Sequence, residues 1–137
     1  MIRALCVLSC LLFSAAAAGF ATPPTSISLA YDMGKGSLHV EALHESFNLT
    51  KSYVRLMYVY LNGERVLSRN YYKQDAYDRF TDDLPLTAKV GDMIKVDLFC
   101  TLGGEKAQEL KVTSTGISQT QNAADEPAAN GAAQQEE

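Results

Sequence analysis

The chain has 137 residues, a formal net charge of −4, three cysteines, two histidines and no tryptophan. At about 100–200 residues per domain, this length excludes a second folded domain. The 47% hydrophobic content is an average over three unlike regions.

The first region is 1–21. Met1, Ile2 and Arg3 form a short basic start, and Ala4 to Ala18 carry no charge. This pattern predicts a secretory signal peptide. The uncharged run is shorter than the roughly 20 residues that span a bilayer, which argues against a retained anchor. Small residues at Gly19 and Ala21 place the cut before Thr22, and Ala16 and Ala18 offer a second cut nearby. Localisation is therefore expected to be periplasmic or secreted. Cys6 and Cys10 leave with the leader, so the mature chain holds Cys100 alone and forms no internal disulfide. A lone cysteine in an oxidising compartment is buried, metal-bound or paired with another chain.

The body, 22–117, has period-two patterning and frequent turns, without a helical stripe. Thr25 to Tyr31 alternates polar and apolar residues and runs into a turn with two glycines. Ser37 to His44 puts Leu38, Val40 and Ala42 on one face. Lys51 to Leu61 is apolar on both faces apart from Arg55, as expected of a central strand. Asn62-Gly63 supplies the positive-φ pair of a tight hairpin, and Glu64 to Tyr72 returns. Phe80 to Leu86 follows a polar loop. Met93 to Thr101 aligns Ile94, Val96, Leu98 and Cys100, and Ala107 to Thr113 closes the set after Gly103-Gly104. The expected fold class is all-β, an immunoglobulin-like antiparallel β-sandwich of about seven strands.

From Ser118 to Glu137 the chain is mostly Gln, Asn, Ala and acid. Such a segment cannot bury enough apolar surface to offset its ordering entropy, so 118–137 is expected to be a disordered acidic tail. Four acids belong to it, which leaves the body with 11 basic and 12 acidic residues, a net −1. This balance predicts no nucleic-acid partner and, after signal cleavage, no membrane contact.

Catalytic motifs are scarce. No Gly-rich phosphate loop, nucleophile elbow, Cys-x-x-Cys or His-Glu-x-x-His occurs. Ser46, His44 and several aspartates could be combined on paper, but their spacing selects no triad. Asp82-Asp83 is read as a turn cap rather than an acid/base pair. Catalytic and cofactor-binding residues are therefore expected to be none. His44 and Cys100 are the candidate metal residues, since imidazole with thiolate suits iron, copper or zinc. His39 lies five positions before His44 and points to the opposite face of an unbroken strand. Five of the seven tyrosines, Tyr53, Tyr58, Tyr60, Tyr71 and Tyr72, gather on the central hairpin, where they suit either a protein partner or a half-exposed sheet face. Asn48-Leu49-Thr50 is a glycosylation sequon, relevant in a eukaryotic host.

The segments His44-Glu45-Ser46, Ser52-Tyr53-Val54, Val59-Tyr60-Leu61-Asn62-Gly63, Val90-Gly91-Asp92-Met93-Ile94-Lys95-Val96 and Cys100-Thr101-Leu102-Gly103-Gly104 resemble the iron domain of desulfoferrodoxin and superoxide reductase. The similarity covers roughly Leu38 to Val112. A second resemblance, to the sulfur-oxidation carrier subunit SoxZ, rests on the same His, Asn-Gly, Gly-Asp order and implies a carrier partner in periplasmic sulfur oxidation. The first implies a ferrous centre with four planar histidines and an axial cysteine. His44 and Cys100 match two of those ligands. Ser52 and Gly103 stand where two more histidines are expected, and no histidine lies upstream of His39. The resemblance thus implies a relative with a lost or vestigial iron site that serves as a non-catalytic binding module; a redox protein holding iron through Cys100 and His44 is the alternative.

Overall fold

The computed structural model describes residues 22–120; the expected leader and residues 121–137 of the expected tail lie outside the described residues. The described chain forms eight strands and no helix, in the order β1 (Ser26–Asp32), β2 (Ser37–Leu43), β3 (Val54–Leu61), β4 (Glu64–Asn70), β5 (Arg79–Pro85), β6 (Met93–Cys100), β7 (Glu105–Lys111) and β8 (Ile117–Gln119). Accordingly, no helix among these residues is long and apolar enough to cross a membrane.

The strands build two four-stranded antiparallel sheets, β5-β2-β1-β8 and β4-β3-β6-β7. Alternation decides which faces meet. Leu38, Val40 and Ala42 of β2 and Ile94, Val96, Leu98 and Cys100 of β6 are all buried in one shared core. Removing each large aliphatic side chain from water contributes about 1.5–3 kcal/mol, so this seam is the main cohesive term. Tyr31 also lies in the core, where its hydroxyl donates to Leu86 O at 3.0 Å and accepts from Ala88 N at 3.0 Å.

Two expectations need adjustment. Strand β3 begins at Val54 rather than Lys51, and a register shift between Val54 and Leu56 changes which residues face inward: Val54 is buried, then Met57 and Val59. Asp82 and Asp83 lie inside β5, not in a turn. Their side chains diverge, Asp83 to His39 Nδ1 at 2.8 Å on the exposed face and Asp82 to Arg69 Nη1 at 3.1 Å and the Tyr71 hydroxyl. Asp82 therefore ties the β4 end of one sheet to the β5 edge of the other.

The folded body reaches past Ile117. Ser118 and Gln119 pair with β1 in β8, and Thr120 N donates to Leu29 O at 2.9 Å. Asn62 and Gly63 take φ of 52° and 85°, the left-handed pair expected of the tight hairpin.

Candidate functional site

Strands β1, β3 and β6 run between two opposite ends of the sandwich. At the end where β1 and β3 start and β6 finishes lie the β2–β3 loop (44–53), the β4–β5 loop (71–78), the β6–β7 turn (101–104) and the incoming segment 22–25. Both candidate metal residues belong to this end.

His44 is 1% exposed and sits at the centre of a polar network. Its Nδ1 lies 2.8 Å from Gln74 Oε1, and its Nε2 lies 2.9 Å from the carbonyl of Thr22. Gln74 Nε2 donates to the carbonyls of His44 and Ala76 at 3.0 and 2.7 Å. Backbone bonds complete the joint: His44 N to Asp78 O, Ser46 N to Tyr77 O and Gln74 N to Leu49 O, at 3.1, 2.7 and 2.9 Å. Ser46 Oγ donates to Ser52 O, and Thr101 Oγ1 donates to Lys51 O at 2.6 Å while accepting from Tyr53 N at 3.2 Å. The loops are thus fastened to one another, with most of their buried polar groups satisfied.

Cys100 is a free thiol, 3% exposed, in the core that also holds Ile94, Val96 and Leu98. Burial pushes its pKa up to about 11. Metal ligation needs the opposite, a thiolate, and an imidazole nitrogen with a lone pair to give. Both His44 nitrogens are instead turned to protein oxygens. Among the described residues no cluster of three or more His, Cys, Asp and Glu side chains could hold a metal ion. The residues present do not fit the iron centre that the resemblance implies, and no chemical step follows from one.

The same network presents an apolar surface. Phe47 and Tyr77 are 73% and 65% exposed, on the two loops joined by the Ser46–Tyr77 backbone bond. They line a groove of about 420 Å³ with Thr22, Glu45, Ser46 and Asp78. Asp78 is held below the usual carboxylate range by its hydrogen bonds to Arg79, whose Nη2 is 2.8 Å away. A second groove of about 440 Å³ continues along Thr22, Pro23, Pro24, Thr25, Glu45 and Lys106.

The tyrosine cluster read from the sequence divides in space. Tyr58 and Tyr60 lie half-buried on the outer face of β3, under Arg65 and Lys95 at 4.7 and 5.3 Å from their ring centroids. Tyr71 is fixed by Asp82, and Tyr72 is 82% exposed. At the sequon, Asn48 Oδ1 accepts from the backbone and hydroxyl of Thr50, a local turn. Sequence reasoning did not single out Gln74 or Phe47; neither has a period or motif to mark it.

Compared with known proteins, the chain matches no family model and no curated protein.

Proposed function

We propose that this chain is an exported, non-catalytic binding module, a desulfoferrodoxin-like sandwich without the iron centre, which engages a protein partner through the loop end bearing Phe47 and Tyr77. One observation carries the reading: two large aromatic side chains stand in solvent on loops that a buried hydrogen-bond network holds in place. Burying such a ring contributes about 1.5–3 kcal/mol, and a side chain on a fixed loop sacrifices little further entropy on binding. Aromatic anchors of this kind dominate interface energetics. The groove between them suits an apolar side chain offered by the partner.

The immunoglobulin-like reading is consistent with this use, since such sandwiches carry binding loops at one end. The leader 1–21 supports a periplasmic or secreted site of action.

A photo-crosslinking residue placed at Phe47 tests the reading, with Val90, 54% exposed beyond β5, as the control position. In cells that export the protein, position 47 is expected to give a discrete protein adduct that Tyr77→Ala abolishes and that position 90 does not give. Equal labelling from both positions would remove the loop end as the binding surface.

A further inference from the structure

Thr22 is fixed at the grooved end by contacts that owe nothing to the residue before it. Its carbonyl meets His44 Nε2 at 2.9 Å. Downstream, Pro24 is buried, and Thr25 donates to Leu43 O from its backbone N at 2.8 Å and from Oγ1 at 3.3 Å. Pro23 packs against Gly104 so closely that a Cβ on that glycine would lie 3.0 Å from it.

Two features at this fixed residue are unspent. The Thr22 hydroxyl is buried with no hydrogen-bond partner among the described residues. Glu45 lines both grooves that Thr22 bounds, and its carboxylate makes no ion pair among the described residues. Asp78, across the first groove, is already paired with Arg79.

We infer that this end of the sandwich is the receptor for the chain's own processed N terminus: cleavage between Ala21 and Thr22 leaves an α-ammonium on Thr22 that ion-pairs with Glu45. The inference rests on the export reading. Water is the co-reactant: its hydroxyl completes the Ala21 carboxyl group and its proton goes to the Thr22 nitrogen, and the proton released as that new carboxyl ionises makes the nitrogen an ammonium. One backbone donor becomes a cation with three donors, charged at neutral pH because α-amino groups titrate near 7.7–8.0. The ion pair then holds the 22–25 strap over His44, so processing tightens the wall of the groove used for binding.

The test compares recombinant protein starting at Thr22 with protein that retains residues 16–21. The extension moves the terminal charge by up to about 20 Å, well beyond the Debye length of about 10 Å at 0.1 M salt. At low salt the Thr22-starting protein is expected to melt roughly 1–5 °C higher. The difference should shrink in 1 M salt and vanish in Glu45→Gln. Equal midpoints, or a difference that survives Glu45→Gln, would overturn the ion pair. Mass analysis of the exported protein addresses the premise separately: a first residue of Thr22 supports it, whereas an intact leader or a start at Gly19 overturns the processing step.

Discussion

Gln74 Nε2 donates to two backbone carbonyls, those of His44 and Ala76, so the oxygen of its amide is the atom that faces His44 Nδ1. The orientation of a single amide thereby sets the role of the imidazole. Nδ1 donates to Gln74, and Nε2 faces the Thr22 carbonyl, which can only accept. His44 acts as a clasp among three chain segments, with both ring nitrogens turned to protein oxygens.

Replacing Gln74 by Leu would leave the His44 Nδ1 proton and two carbonyls unpaired in a buried place. Each orphaned group costs about 1–3 kcal/mol, so the variant is expected to lose at least about 2 kcal/mol. Urea unfolding followed by fluorescence or circular dichroism measures this as a lower midpoint with little change in slope. A midpoint within error of the parent would show that the network does not fasten the loops.

Cys100 should resist alkylation in the folded protein and react when the chain is unfolded. Its folded pKa, raised to about 11, lies above the ordinary thiol value of about 8.5. The sign follows: the stabilisation of the buried thiol is fully present below about pH 8.5 and is lost as pH rises towards 11. Cys100→Ala should flatten that part of the stability profile. Ferrous iron added to the reduced protein should leave the melting midpoint unchanged; a rise in midpoint would restore a metal site.

Gly104 has φ of 92° and touches Pro23, whereas Gly63 has φ of 85° and open space around its Cβ position. Alanine at either site incurs left-handed strain of about 1–2 kcal/mol. Only Gly104→Ala should add the cost of displacing the 22–25 strap. Its melting midpoint is expected to fall further than that of Gly63→Ala, because two of the three close contacts are with the Pro23 backbone, which cannot move aside without shifting the strap; equal midpoints would show that the strap is not packed there.

Alternation made much of the fold legible. Leu38, Val40 and Ala42, and Ile94 through Cys100, face the core as period two requires. The Asn62-Gly63 hairpin follows from the φ values that Asn and Gly tolerate. Strand β8 was not legible, because Ser118 and Gln119, which follow Ile117, have tail-like composition. A partner distant in sequence, β1, holds it through its ladder, and nearby Thr113 N donates to Ser118 Oγ at 2.7 Å. Asp82 was misread for a related reason: a carboxylate in mid-strand looks like a turn until Arg69 and Tyr71 reach it from the other sheet.

The site was legible in part. Five-residue spacing separates His39 from His44 correctly, His39 on the exposed face and His44 inside. Gln74 lies 30 residues from His44 in a loop of ordinary polar composition, and nothing local distinguishes it from a solvated glutamine. Exposure of Phe47 and Tyr77 is likewise a property of the assembled loops.

The most direct measurement is the affinity of the Phe47→Ala, Tyr77→Ala double variant for the protein captured by the crosslinker at position 47. With the melting midpoint retained, affinity is expected to fall by roughly 30-fold or more, the effect of losing about 2 kcal/mol of aromatic anchoring. Parental affinity in a folded double variant would contradict the loop end as the binding surface.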